Sequence, residues 1–246
     1  MAEVNAPRGE ANGAGPRLEA RRFADTADLI AKLADRLAQA LASRGAPAGS
    51  AVMLSGGATP MPAYRTLAAR ELEPAPGLAL LFSDDRYVAS TSAASNYHQS
   101  LPLIERLRLA PERILRVRTE LALAEAAADY DRRVNALVAQ GVSFTLGLLG
   151  LGADGHTASL FNSEDVTRAR GHSAIAVHRP DGRDAVTVTP DVLERFEVLA
   201  FVVAGPDKRA SLAALLARDA ALPAWQAVCR RKTVQIWTEP QAWPSG

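Results

Sequence analysis

Short, largely apolar runs, most of them ending in serine or glycine and separated by Ala- and Leu-rich stretches of helical period, constrain this chain more than any other feature. Ala51-Val52-Met53-Leu54 stops at Ser55-Gly56-Gly57, and Leu78 to Phe82 stops at Ser83. Val142 to Leu149 runs into Gly150, Glu197 to Val203 ends near Gly205, and Thr233 to Trp237 closes the series. A strand covered on both faces loses the polar-apolar alternation of a half-exposed one, so such runs are the mark of a parallel sheet. Between them, Thr26 to Arg44 carries Leu29, Leu33, Leu37, Ala40 and Leu41 at helical spacing, with Thr26 or Asp25 as N-cap and Gly45 beyond its end. Pro60 to Leu72, Asn96 to Leu107, Leu121 to Gln140 and Pro206 to Ala217 read as further helices. The alternation predicts an α/β fold: a mostly parallel sheet with helices on both faces. No repeat or composition break divides it, so residues 18–246 form a single domain behind a tail, residues 1–17, whose Gly, Pro, Asn and Glu content reads as disordered.

Composition narrows the function classes. With 28 Lys+Arg against 27 Asp+Glu, the formal charge of +1 excludes global attraction to nucleic acid or to a membrane surface. The single cysteine, Cys229, rules out an internal disulfide framework and sits in an apolar-basic run where it reads as a small buried hydrophobe. No secretory h-region is present near Met1, and the longest apolar runs fall short of the ~20 residues of a membrane helix. A cytoplasmic protein is expected, a monomer or small homo-oligomer with neither nucleic acid nor membrane as partner. Only three of the positive residues are lysines, Lys32, Lys208 and Lys232, so the place of each carries information.

Ligands of an open parallel sheet bind at the carboxyl ends of its strands. Four stretches qualify. Ser55, Gly56, Gly57 and Thr59 lie between a strand and a helix, where glycines permit close backbone approach and free N–H groups suit a phosphate; a plain Gly-Gly turn would look the same. Ser83-Asp84-Asp85-Arg86 follows the second run and reads as a solvated turn or a polar site. Gly150 to Phe161 frames Asp154 and His156 with three glycines, a helix-like segment following. Gly205-Pro206-Asp207-Lys208 sets a lysine at a helix start, against the dipole, which an anionic ligand would explain. His98, His172 and His178 lack such surroundings, and with no HExxH or Cys/His cluster neither a catalytic metal nor another cofactor is expected.

These stretches carry a resemblance. Gly152-Ala153-Asp154-Gly155-His156-Thr157-Ala158-Ser159-Leu160-Phe161 is similar to the G-x-D-G-H-T-A-S-L-F signature of 6-phosphogluconolactonases. Leu54 to Pro60 resembles their L-S-G-G-S-T-P loop with Ala58 for Ser, Asp84-Asp85-Arg86 their D-E-R with Asp85 for Glu, Ser95-Asn96 an S-N pair, and Gly205 to Lys208 a G-x-x-K. Two departures stand out. Asn162 replaces the proline that commonly follows the signature, and Ala185 stands where the family has an arginine before a T-L-T strand, leaving Arg183 or Arg179 to fill its place.

The resemblance implies a Rossmann-like, glucosamine-6-phosphate deaminase-like fold and hydrolysis of 6-phospho-D-glucono-1,5-lactone, a sugar phosphate. On that reading Ser55, Gly56, Gly57, Thr59 and Lys208 grip the phosphate, with Arg183 as a further substrate contact. His156 is the general base, with a helix start expected close behind it. Asp154 orients its ring or shapes the loop. Arg86 faces the carbonyl or the phosphate, and Asp84 positions Arg86 or a sugar hydroxyl. Rival readings are a deaminase or isomerase of an amino-sugar phosphate, and a non-catalytic sugar-phosphate sensor. The loop after Asp154-Gly155-His156 and the lack of room for a DNA-binding module favour the lactonase.

Overall fold

The structure is a computed structural model that describes residues 15–43 and 47–244. In chain order the elements are β1 (Arg17–Arg22), α1 (Thr26–Ala42), β2 (Ser50–Leu54), α2 (Pro60–Ala68), β3 (Ala79–Phe82), β4 (Asp84–Arg86), α3 (Asn96–Gln99) and α4 (Leu101–Leu107). Then come β5 (Ile114–Leu115), α5 (Leu123–Ala139), β6 (Ser143–Leu149), α6 (Ser163–Arg168), β7 (Ala174–His178), β8 (Asp184–Val188) and α7 (Pro190–Leu193). The chain ends with β9 (Val198–Val203), α8 (Arg209–Leu216), α9 (Pro223–Val228) and β10 (Thr233–Thr238).

Seven strands make one sheet in the order β1-β10-β9-β6-β2-β3-β5, and every pairing in it is parallel. Each apolar run singled out in the sequence supplies one of its central strands. Because successive side chains point to opposite faces, Ala51 and Met53 of β2 enter one core while Val52 and Leu54 enter the other. Helices α1, α2 and α4 cover the second of these faces, and α5 and α9 pack on the first. Asp25 is the N-cap of α1, accepting from the Asp28 N–H at 2.8 Å, and Leu29, Leu33, Leu37 and Leu41 form its buried stripe. Gly45, expected beyond that helix, lies outside the described residues, as do residues 1–14 of the tail; Arg17, grouped with the tail, is instead the first residue of β1 and pairs with Thr233.

A second sheet of three antiparallel strands, β4-β8-β7, stands beside the first. β7 contributes the apolar run Ala174 to Val177, β8 interleaves Thr187 between valines, and β4 is the Asp84-Asp85-Arg86 element itself. The helix expected over Asn96 to Leu107 is two helices that meet at Ser100, whose hydroxyl donates to the Asn96 carbonyl at 2.8 Å.

Two buried tyrosines finish the strand ends. The Tyr64 hydroxyl accepts from the Ser55 N–H at 3.1 Å and donates to the Ser55 carbonyl at 2.9 Å. Tyr130 does the same to Phe82 at 2.8 and 2.7 Å. Burial drives both phenols well above their ordinary titration range, so each keeps its proton.

Candidate active site

Strand order reverses between β2 and β6: β2 leads outward to β3 and β5, and β6 leads the other way to β9 and β10. The crevice at such a switch point is where an open α/β sheet holds its ligand. Here it is flanked by the Ser55–Thr59 and Gly150–His156 loops, which come so close that a Cβ on Gly150 would stand 3.8 Å from the Ser55 hydroxyl.

In the first loop Gly57 has φ +110, a backbone conformation that a side chain would strain. Gly56 is required for space: a Cβ there would lie 1.9 Å from the Asn96 side-chain oxygen. Thr59 precedes α2 without a side-chain cap, which leaves its hydroxyl available. A depression of about 550 Å³ opens beside this loop, lined by Gly57, Ala58, Met61, Arg65, Arg86 and Gln99. Two guanidiniums and no carboxylate line it, so it favours an anion. Another depression, of about 350 Å³, lies between the end of α1 and the segment after α2, where Glu71 and Glu73 give it the opposite sign.

The second loop builds a histidine–carboxylate pair. His156 Nδ1 meets Asp154 Oδ1 at 2.5 Å, and the same oxygen accepts the His156 backbone N–H at 3.3 Å. Gly152 makes room for this contact, because a Cβ on it would stand 2.2 Å from His156 Nδ1. The loop is closed by the Gly152 N–H donating to the His156 carbonyl at 2.8 Å and by Thr157 donating to the Gly150 carbonyl at 2.9 Å. With Nδ1 engaged, Nε2 is the nitrogen left for a substrate or water. Burial would raise the Asp154 carboxyl, but the hydrogen bonds and charge of His156 outweigh it and hold the group below its ordinary value.

No helix starts directly behind His156, contrary to expectation. The chain turns through Thr157 to Phe161, and α6 begins only at Ser163; the helix start that meets this loop is that of α9, whose Ala224 N–H donates to the Gly155 carbonyl at 3.0 Å. Asn162 explains its own presence there: its side chain accepts from the Asp165 N–H at 2.8 Å while Asp165 accepts from the Phe161 N–H at 3.1 Å, a reciprocal cap.

Asp84 is buried between the two sheets, where Ser83 and Ser159 donate to its carboxylate at 2.9 and 2.7 Å. Asp85 faces the other way and accepts from the Ser95 hydroxyl and from the Asn96 and Tyr97 N–H groups. Burial pushes its carboxyl above the usual value, and those hydrogen bonds only partly offset the rise.

The two candidate arginines separate clearly. Arg183 is half exposed and spent on Asp181, at 2.7 Å, holding that carboxyl well below the ordinary range; the fold does not bring it to the cluster. Its place in the sequence lies just past the tip of the β7–β8 hairpin, which turns it outward. Arg179, at the end of β7, is the one that reaches in. It shares Asp181 with Arg183, at 3.3 Å, but its side chain is only 11% exposed, donates also to the Ser159 hydroxyl at 3.1 Å, and lies 5.0 Å over the Phe161 ring. That ring in turn packs 4.5 Å from the His156 imidazole.

Lys208 stands at the carboxyl end of β9, one strand beyond β6, where it pairs with Asp207 at 3.1 Å. The turn is fixed by Gly205, at φ +99, whose N–H donates to the buried Glu239 carboxylate at 2.9 Å. Arg65 and Gln99 were not singled out in the sequence; Arg65 lies within a helix and carries no motif.

The family model for glucosamine-6-phosphate isomerases/6-phosphogluconolactonase matches residues 24–237, nearly the whole chain. The chain belongs to this family. A 6-phosphogluconolactonase from Treponema pallidum is 36% identical over 66% of this chain and 70% of its own length. One from Thermotoga maritima is 31% identical over 74% of this chain and 81% of its own. Among solved structures, 6-phosphogluconolactonase from Thermotoga maritima superposes with a TM-score of 0.76 at 25% identity, covering 91% of this chain and 99% of that one. A monomeric glucosamine-6-phosphate deaminase has the same TM-score, 0.76, at 16% identity over 91% of this chain and 98% of its own, a likeness of fold.

Proposed function

We infer that the protein hydrolyses 6-phospho-D-glucono-1,5-lactone to 6-phospho-D-gluconate, the acid-forming step of the oxidative pentose phosphate pathway. The observation that carries this reading is the His156–Asp154 pair, held at 2.5 Å beside the glycine loop of the switch point. Asp154 fixes the ring so that Nε2 accepts a proton from water as it attacks the lactone carbonyl. Ser55, Thr59 and the N–H groups of Gly56 and Gly57 grip the phosphate, and Lys208 and Arg65 supply positive charge around it. Binding energy from that remote group orients the ring for attack.

Arg86 acts on an oxygen at the same end of the crevice. A loss confined to KM in Arg86→Ala assigns it to the phosphate, and a loss confined to kcat assigns it to the developing oxyanion, an effect worth ~3 kcal/mol for one donor in other enzymes. Arg179 takes the place given to Arg183 in the sequence reading, because it is the arginine that reaches Ser159 and Phe161. Asp84 joins the hydroxyls of Ser83 and Ser159 and anchors this side of the site. The reaction needs no dissociable cofactor. No helix among the described residues is long and apolar enough to cross a membrane, and a cytoplasmic enzyme, monomeric or a small homo-oligomer, fits this role.

The test is lactone hydrolysis by the purified protein, measured above the spontaneous rate, alongside ammonia release from glucosamine 6-phosphate. His156→Ala is expected to lower kcat by about 10²–10⁴-fold, the usual contribution of a general base, and to leave 6-phosphogluconate binding nearly intact. Wild-type turnover in that variant, or ammonia release by the parent protein, would overturn the reading.

A further inference from the structure

The Ser95-Asn96 pair has no task in the reaction as described, yet Asn96 is among the most enclosed polar side chains near the site, at 1% exposure. Its amide ties the start of α3 to β4 and to the glycine loop. The side-chain nitrogen donates to the Asp84 carbonyl at 2.8 Å, and the side-chain oxygen accepts from Arg86 Nη1. Its own N–H donates to the Asp85 carboxylate at 2.6 Å, so the residue's backbone is fixed as firmly as its side chain. Ser95 and Tyr97 donate to the same carboxylate at 2.9 and 3.1 Å, which seats the first turn of α3 on β4. The side-chain oxygen also abuts Gly56 so tightly that no Cβ fits there.

The orientation of this amide is fixed by polarity. An amide rotated by half a turn would aim its NH₂ at a guanidinium, donor against donor, and its oxygen at the Asp84 carbonyl, acceptor against acceptor. Only one arrangement satisfies both neighbours, and in it the acceptor faces Arg86. Arg86 forms no ion pair among the described residues, so a neutral amide, not a carboxylate, holds it. A carboxylate in that place would neutralise the guanidinium; an amide fixes its direction and leaves its full charge for an anion.

We propose that Asn96 is a positioning residue for Arg86: seated on Asp84 and Asp85, its side-chain amide aims an uncompensated guanidinium over the Gly57–Ala58 depression. Asp85 and Ser95 act one step further back, by holding Asn96. The inference rests on the lactonase reading for its kinetic readout alone, since the bracket is a property of the binding site.

A double-mutant cycle tests it. Asn96→Ala is expected to reduce kcat/KM by about 10- to 100-fold, the factor for a hydrogen bond to a charged group, in whichever of kcat or KM Arg86→Ala affects. In the Arg86→Ala background the same substitution should change kcat/KM by less than ~3-fold, because the group it positions is gone. A purely structural role predicts equal losses in both backgrounds, and that result would overturn the proposal; so would wild-type kcat/KM in folded Asn96→Ala. Asn96→Asp keeps an acceptor for Arg86 and cancels its charge, but it also turns a second oxygen toward the Asp84 carbonyl. It is expected to lower kcat/KM further than Asn96→Ala does, in the same constant that Arg86→Ala affects, and a kcat/KM above that of Asn96→Ala would count against the proposal. The same cycle read as the dissociation constant of 6-phosphogluconate gives the coupling without turnover, so a protein that binds but does not hydrolyse would still decide it.

Discussion

His156 and Asp154 stand two residues apart in a loop with no regular structure, and their contact depends on Gly152 having no side chain. Asp154 is held below its ordinary range, so its carboxylate contributes stability that is present above the unfolded value of 3.8 and is lost as pH falls through the lower folded value. The difference in Tm between wild type and Asp154→Asn is therefore expected to be full at neutral pH and to close only below about pH 3.8; a gap that closes near neutrality would refute it. The two arginines give a sharper contrast. Arg179→Ala should lower kcat/KM by at least ~10-fold, the size of one lost hydrogen bond to a charged partner. Arg183→Ala, which breaks an exposed pair with Asp181, should leave kcat/KM within ~2-fold of wild type. The opposite order in a steady-state assay would restore Arg183 to the site. The glycine-framed His156 and Asp154 were legible in the sequence because small residues, a base and an acid coincide after a buried strand. The choice between Arg179 and Arg183 was not, because nearness to Val186-Thr187-Val188 along the chain says nothing about which arginine of a hairpin turns inward. Asn96 was marked in the sequence only as half of the S-N pair, without a task, and Arg65 not at all, for a related reason: their importance lies in what other segments bring to them.

At the scale of elements, the strands that lead into the site are held by side chains from helices on both faces. Tyr64 on α2 and Tyr130 on α5 each satisfy one N–H and one carbonyl at a strand's end, those of Ser55 just after β2 and of Phe82 on β3. Each phenol takes the place a neighbouring peptide group would occupy in the ladder. Tyr64→Phe and Tyr130→Phe should each cost ~1–3 kcal/mol in denaturant unfolding, the penalty of leaving buried backbone groups unpaired, and Tyr64→Phe should also raise KM because it frees the Ser55 loop. Unchanged stability in both variants would show that water replaces the hydroxyl. Of the five central strands, β2, β3 and β9 were legible because burial on both faces makes their residues almost all apolar, and β6 and β10, which interleave polar residues, by the order of the series. Strand β7 was not assigned although Ala174 to Val177 is as apolar as Ala51 to Leu54, because no glycine-framed loop follows it, and β8 was marked only through the T-L-T resemblance. β1, Arg17-Leu18-Glu19-Ala20-Arg21-Arg22, is an edge strand whose outward side carries charge, and nothing in its local pattern marks it as a strand.

For the molecule as a whole, the sheet is completed by its first and last strands lying side by side. β1 pairs in parallel register with β10 from Arg17–Thr233 to Arg22–Thr238, and Arg21 lies 5.3 Å over the Trp237 ring. A chain lacking β1 would expose the backbone groups of β10 together with that tryptophan. It is expected to melt lower and to self-associate in light scattering; a monodisperse protein of unchanged Tm would show that β1 is dispensable. β2 and β6 stand well inside the sheet, away from this edge, but the turn that carries Lys208 is held by Glu239, the residue that follows β10, so the site is complete only once the last strand is in place. Synthesis makes the order concrete. At about 5–20 residues per second, β1 emerges roughly 10–40 s before its only partner strand exists. A ribosome carrying this chain must therefore hold a short, arginine-rich segment unpaired for most of translation, and the charge on β1 is what lets it wait in water without seeking a substitute.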